Sequence, residues 1–280
     1  MKPTDNSKDT VTLCKTLLLL AKTQKFYWFL GHFLSFTFFA MDTISLIFQQ
    51  LEFYRYCLAA VMVAYGLVIK QVHFKNFHLK DLSVVISSKD LRNSLICDDN
   101  FQYFMLAMVF FFSYSIIGSV GGALYPFAIF SIFHILAYFQ GNILNSLPIH
   151  GETKKRFHGI ITNFFTAYSG YALLIAANSE LVLTLRFVLI SLLFPIQIFT
   201  SPSYAIVNLF LLVSIVIFLK FRYLKSPHTR RIVEEWDSRI TTALKGGKLP
   251  EFFDVLYFKI KYYVRAVSDL IKLPEVKKVR

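Results

Sequence analysis

Cysteine is scarce in this chain and poorly spaced for any joint task. Cys14, Cys57 and Cys97 form no CxxC pair and leave an odd count, which excludes a disulfide framework or a thiolate zinc knuckle and leaves ordinary thiols. Charge is also in short supply: 17% of residues are charged, where soluble domains carry about 25%. Acidic side chains are the scarcer sign, with 17 Asp and Glu against 30 Lys and Arg and a net charge of +13. The sequence has no HExxH pair, no GxxxxGK[ST] loop and no GxSxG elbow, so the zincin, P-loop and α/β-hydrolase chemistries lack their residues. No catalytic residue, metal site or cofactor is expected.

What is abundant is apolar surface. The chain is 55% apolar, contains 31 Phe and has a mean hydropathy of +0.52, the composition of a polytopic membrane protein. Its apolar runs are Phe26 to Phe48, Tyr56 to Ile69, Phe101 to Phe139, Ile160 to Ala177, Leu181 to Phe199 and Tyr204 to Leu219. A hydrocarbon core of about 30 Å needs about 20 helical residues, so the run from Phe101 must make two passes. Gly118, Gly121, Gly122 and Pro126 mark its turn. The short Tyr56 run is extended by interfacial Tyr54 and by Arg55 and Lys70 snorkelling from its ends. Only Gln49 to Glu52 separate it from the first run, so those two spans form a hairpin.

Leu17 to Ala21 is too brief for the hydrophobic region of a signal peptide, and the run from Phe26 is expected to serve as an uncleaved anchor. Basic residues set the orientation. Residues 1 to 25 carry five Lys, residues 70 to 100 carry Lys70, Lys75, Lys80, Lys89 and Arg92, and Lys154, Lys155 and Arg156 follow. The hairpin tips carry none, so both termini and the long loops are expected in the cytosol. Termini on one side require an even number of crossings. Three apolar runs remain after Arg156, so one is re-entrant, interfacial or merged with a neighbour, and the stretch holding Asn178, Glu180 and Arg186 is the candidate irregular part. The expected fold is all-α, with helical hairpins making four to six crossings and a cytosolic amphipathic tail. Its divisions are a basic segment over 1–25, a membrane domain over 26–219 and a tail over 220–280.

The tail is the most basic part, with 15 Lys and Arg against seven Asp and Glu. Ile232, Trp236, Ile240 and Leu244 recur every four residues after Ser226 and Pro227, with Arg230, Arg231, Glu234, Glu235 and Arg239 elsewhere, which predicts an amphipathic helix ended by Gly246 and Gly247. A second helix is predicted from Pro250 to Lys272. Phe252, Phe253, Leu256, Ile260, Tyr263, Val267, Leu270 and Ile271 form its apolar face, with Lys259, Lys261, Arg265 and Lys272 among the polar positions. Such helices either lie on an anionic, curved bilayer, engage a groove partner such as an importin, or dock on the protein itself. Position beside the bilayer favours lipid over nucleic acid. Lys277 and Lys278, fourth and third from the end, have the form of a dilysine retrieval signal for the endoplasmic reticulum.

Candidate chemistry inside the spans is sparse. Asp42, with His32 ten residues before it, is the lone acid of the first run, and Asn178, Glu180 and Arg186 form the one polar grouping from which a small-solute or ion transporter could be built. No inverted repeat accompanies them. Gly118 and Gly122 read either as a GxxxG helix contact, which would permit a homo-oligomer, or as the hairpin turn.

Several segments together resemble the transmembrane protein 33 family, which includes fungal pore-membrane proteins. They are Phe53-Tyr54-Arg55, the stretch from Leu124 to His134, Ala177-Asn178-Ser179-Glu180, and Leu219 to Ser226. The resemblance implies a non-enzymatic protein of the endoplasmic reticulum and nuclear envelope. It implies action in membrane organisation with reticulon-type hairpin proteins, and in the biogenesis or distribution of nuclear pore complexes with nucleoporins. Hairpins and amphipathic helices that widen the cytosolic leaflet would favour positive curvature.

Overall fold

The computed structural model describes residues 15, 17–48, 53–75, 88–246 and 250–270. All regular structure among them is helical. Lys277 and Lys278 lie outside the described residues. The helices are α1 (Gln24–Phe48), α2 (Tyr54–His73), α3 (Lys89–Ile96), α4 (Asp99–Ile117), α5 (Tyr125–Tyr138), α6 (Gly151–Ser191), α7 (Phe194–Thr200), α8 (Pro202–Lys225), α9 (Pro227–Lys245) and α10 (Glu251–Leu270).

Local chemistry explains most of these ends. Pro126, Pro195, Pro202 and Pro227 occupy the first turns of α5, α7, α8 and α9, where a missing N–H costs nothing and the fixed φ suits the helix. Asp98 accepts the Asn100 N–H at 2.7 Å to start α4, and Ser226 accepts the Thr229 N–H at 3.2 Å to start α9. Gly118 and Gly122 hold φ of +72° and +88° between α4 and α5. An L side chain is strained at both values, so these glycines make the turn rather than a helix contact.

Among the described residues, five helices, over residues 54–73, 99–117, 125–146, 151–191 and 202–225, are long and apolar enough to cross a membrane. The 25-residue α1 matches them in length. One expectation needs correction. The stretch around Asn178, Glu180 and Arg186 is not irregular: α6 runs unbroken for 41 residues, roughly 60 Å at 1.5 Å per residue. The breaks fall later, at Leu192 and Ser201, beside the prolines that begin α7 and α8. The two runs from Ile160 and Leu181 are therefore merged in one helix, because the polar residues at their join are paired with other helices.

The chain forms two compact units interleaved in sequence, one of residues 1–75 and 124–172 and the other of 76–123 and 173–280. In the first, α1 packs along α2 and α5. Gly31 sits so close to α2 that a Cβ built on it would lie 2.9 Å from the Ala64 Cβ. One turn on, the Cys57 thiol meets the Ser35 hydroxyl at 3.6 Å and carbonyl at 3.3 Å. This is the close approach that small residues permit when lipid, not water, surrounds the helices. On the α5 side, Phe29 stacks on Tyr138 with centroids 4.5 Å apart, and His32 Nδ1 lies 3.1 Å from Ser131 Oγ. Gly31→Leu is expected to force the pair apart at a cost of about 1–3 kcal/mol, the usual range for overpacking. A lowered thermal midpoint of the purified protein in detergent would show it, and an unchanged midpoint would refute the contact.

In the second unit, α4 and α8 pack along each other, and α7, α9 and α10 all touch α8. Phe110, Phe187, Leu211 and Ile215 are fully buried there.

Candidate functional site

Glu180 is 1% exposed in the C-terminal half of α6, and burying a carboxylate in an apolar body demands partners. Its Oε1 accepts the Tyr103 hydroxyl of α4 at 2.5 Å, and its Oε2 lies 3.8 Å from Arg222 Nε of α8. The Arg222 guanidinium sits over the Tyr103 ring, 5.3 Å from its centroid, and donates from Nη1 to Asp99 Oδ2 at 3.2 Å. Lys225 Nζ reaches Asp99 Oδ1 at 3.5 Å. Arg222 and Lys225 fall in the last turn of α8, and Asp99 in the first turn of α4. The network therefore gathers at the polar ends of two apolar helices, not at midspan.

Two corrections follow for the intramembrane group. Arg186 does not join Asn178 and Glu180; it donates to the Gly121 carbonyl of the glycine turn at 3.0 Å. Asp42 and His32 lie in the other compact unit, and His32 pairs with Ser131, with the ring of His134 4.5 Å away. Glu180 and Asn178 bond side chains of other helices, and His32 bonds Ser131 of α5.

The tail begins from this network. Helix α9 leaves α8 through a single residue, Ser226. Arg230 returns to the end of α8, donating to the Tyr223 carbonyl at 3.4 Å and the Leu224 carbonyl at 3.2 Å, two of the carbonyls that a helix end leaves without partners. Trp236 Nε1 donates to Asn178 Oδ1 at 2.9 Å. Thr229 and Leu244 are buried, Ile232, Val233 and Ile240 half-buried, and Arg231 exposed. The apolar stripe of α9 is thus turned toward its own protein.

Helix α10 is held by Asp237 of α9, which accepts the Tyr257 hydroxyl and the Lys261 ammonium at 2.6 and 2.7 Å. Leu256 and Ile260 share this half-buried side with Tyr257 and Lys261. The opposite side is open. Phe252, Val255, Phe258, Tyr262 and Tyr263 are all exposed, Phe252 at 66% and Tyr262 at 69%, and Lys259 and Arg265 stand exposed around them. Residues 255, 258 and 262 fall at the three- and four-residue spacing of one helix face, so these rings form a continuous stripe. Phe253 is exposed at the border of the two faces; the side chain of Val267 is outside the described residues.

Comparison with known proteins gives this arrangement a family. The family model described as Transmembrane protein 33/Nucleoporin POM33 matches residues 8–269. The chain belongs to this family. Among its relatives, the "Pore and endoplasmic reticulum protein of 33 kDa" of Saccharomyces cerevisiae is 33% identical over 256 residues, covering 88% of this chain and 90% of that protein. The "Pore membrane protein of 33 kDa" of the same yeast is 24% identical over 275 residues, covering 95% and 92%. The "Tetra-spanning protein 1" of Schizosaccharomyces pombe is 24% identical over 261 residues, covering 90% and 87%. No solved structure matches the chain.

Several of the family segments noted in the sequence now have a place. Ala177 to Glu180 and Leu219 to Ser226 meet in the Glu180 network, and Leu124 to His134 carries Ser131 and the start of α5. Sequence reasoning missed Asp99, Tyr103, Arg222 and Lys225 as partners of Glu180. A buried acid calls for a cation, and Arg222 at the end of an apolar run was the available signal. It also missed Val255, Phe258 and Tyr262, because tracing one stripe on α10 hid the fact that the helix is apolar on two sides.

The Asp237 clamp lies outside the spans and responds to pH. The Lys261 hydrogen bond, then that from Tyr257, holds the Asp237 carboxyl below its ordinary value of 3.8. Burial, and next the bond to Asp237, pushes Tyr257 up to about 12, so its hydroxyl stays a donor at neutral and mildly alkaline pH. A carboxyl lowered by folding stabilises fully above its unfolded value and loses that contribution as pH falls through the lower folded one. The clamp is therefore expected to hold at pH 7 and open in acid below the usual carboxylate range. Spin labels at exposed Ser238 and Ala266 would show this as a distance distribution that broadens on acidification, and Asp237→Asn would give the broad distribution already at pH 7. A narrow distribution in the variant would refute the clamp.

Proposed function

We propose that this chain is a non-enzymatic membrane protein of the endoplasmic reticulum and nuclear envelope that organises or shapes membrane and contributes to nuclear pore complex biogenesis or distribution. The relatives' names, pore and endoplasmic reticulum protein and pore membrane protein, support the setting. The observation that carries the working part is the exposed aromatic stripe of α10, edged by Lys259 and Arg265. Rings that enter the headgroup region and cations at their margin suit an anionic, curved leaflet. Both termini are cytosolic in this reading, and the tail over 220–280 acts as an arm beside a membrane domain over 26–219. The docked side of the arm fixes where its open side points. Nucleoporins, reticulon-type hairpin proteins and an importin are the protein partners that such a surface would serve.

The distinction between the docked and open sides gives a clean test. A full-length fluorescent fusion is compared with one carrying Phe252→Ser, Val255→Ser, Phe258→Ser and Tyr262→Ser, which leaves Trp236, Asp237, Tyr257 and Lys261 in place. The wild type is expected at the nuclear rim in pore-like foci, and the variant evenly through the reticulum. Identical distributions would overturn the role given to α10.

A further inference from the structure

Arg186 is a cation of the apolar helices that stands outside the Glu180 network. It is exposed, in a stretch from Leu181 to Ile190 whose other polar residue is Thr184. A charge in an apolar span is costly unless its head reaches headgroups, water or an ion. Contacts within the second unit show where this one goes. Tyr103 meets Glu180, and seven residues further along both helices Phe110 stacks on Phe187, with centroids 6.3 Å apart. Helix α6 therefore runs beside α4 in the same direction, away from Asp99 and Arg222 and toward the glycine turn. Arg186 Nη1 donates to the Gly121 carbonyl at 3.0 Å, past the end of α4 at Ile117. The side chain thus carries its charge out of the apolar stretch to the edge of the span.

The 19 residues of α4 measure about 28 Å, close to one hydrocarbon thickness. The edge reached by Arg186 is therefore opposite that of Asp99, Arg222 and the start of the tail. There the guanidinium is engaged on one side. The Gly121 carbonyl is neutral and takes Nη1, whereas Nε and Nη2 form the other edge of a planar fork that matches two oxygens of a phosphate. The turn leaves room for such a ligand: Ser119 and Gly121 are exposed, and the guanidinium lies against backbone, 3.5 Å from where a Cβ on Gly121 would stand. The anion concentrated at a bilayer edge is the phospholipid phosphate.

We infer that Arg186 and the turn from Gly118 to Gly122 form a phospholipid phosphate site in the leaflet opposite the tail, with Nε and Nη2 on the phosphate and Nη1 holding the turn. In the orientation proposed above this is the lumenal leaflet. The protein then engages headgroups on both faces of the bilayer, through the α10 stripe on one and through Arg186 on the other.

The test uses the full-length chain in nanodiscs and two photoactivatable lipids with the same acyl chains and a diazirine near the glycerol, a phosphatidic acid and a diacylglycerol. The phosphatidic acid is expected to label peptides holding residues 111–123 and 181–190 saturably, and the diacylglycerol to label them weakly. Arg186→Gln keeps a donor for the Gly121 carbonyl but removes the charge and the fork. It should lower labelling of these peptides about tenfold, the effect of one charge-assisted hydrogen bond. Labelling around residues 219–225, at the other edge, should not change, which reports that the fold is kept. Arg186→Lys keeps the charge without the fork and should fall between the two, so the result does not depend on one variant folding. Equal labelling by the two lipids, or equal labelling of the wild type and both variants, would overturn the site. Loss of the label on adding millimolar inorganic phosphate would assign the site to a free anion and overturn the lipid assignment.

Discussion

Glu180→Ala is expected to lower the thermal midpoint of the detergent-purified protein by about 10 °C. The side chain is 1% exposed and its partner Arg222 9%, so the change leaves a buried guanidinium with Asp99 as its remaining carboxylate partner and takes the acceptor from the Tyr103 hydroxyl. Breaking one side of a buried pair costs about 3–5 kcal/mol, and at this size each kcal/mol moves the midpoint by about 2–4 °C. Glu180→Gln keeps an acceptor for Tyr103 and should lose less. Arg222→Met added to Glu180→Gln removes both charges and should recover part of the loss, since the penalty lies in the unpaired ion more than in the missing attraction. A midpoint unchanged in Glu180→Ala would mean that the carboxylate is not buried, and the network with Asp99, Tyr103 and Arg222 would fall with it. Because Trp236 of α9 bonds Asn178 two residues away on α6, the same substitution is expected to loosen the tail, which the Ser238 and Ala266 labels would register as a broadened distance.

The second large effect concerns the outward side of α10. A polarity-sensitive fluorophore at position 262, in full-length protein reconstituted with anionic lipid and without competing exposed thiols, is expected to report a water-excluded setting. Burying each aromatic ring contributes about 1.5–3 kcal/mol, so Phe252→Ser with Phe258→Ser should reduce the bilayer-engaged population by at least a hundredfold and return the emission to that of water. Lys259 and Arg265 add about 1 kcal/mol each beside an anionic surface. High salt or neutral lipid should therefore shift the emission only part of the way, because screening leaves the ring burial intact. Emission already that of water in the wild type would mean that the stripe is not buried in lipid.

These expectations rest on features of unequal visibility in the sequence. Helix extents were legible because hydropathy and punctuation are local properties. Pro202 and Pro227 begin helices, Gly118 and Gly122 turn the chain, and Ser226 caps α9, each through its own backbone. The first tail helix and the start of the second could be placed almost to the residue for that reason. Partnership was not legible. The polar stretch around Asn178 and Glu180 reads as an interruption when considered alone, since a carboxylate amid apolar residues is costly. It continues as helix because Tyr103, 77 residues earlier, and Arg222, 42 residues later, satisfy it. Likewise, Gly31 appears as one more small residue until Ala64 is found against it.

The sequence alone therefore determined that this protein is a helical membrane protein with a basic C-terminal segment, because the transfer of apolar side chains and the repulsion of charge from lipid depend on residue type and order along the chain rather than on position in space. The tertiary structure decided which polar groups lock the helices, which side of α10 is docked by Asp237 and which remains open, and how closely α1 approaches α2 at Gly31 and Ala64. Those outcomes depend on distances between residues far apart in the chain, and a hydrogen bond or an ion pair exists only once packing has brought its two ends together.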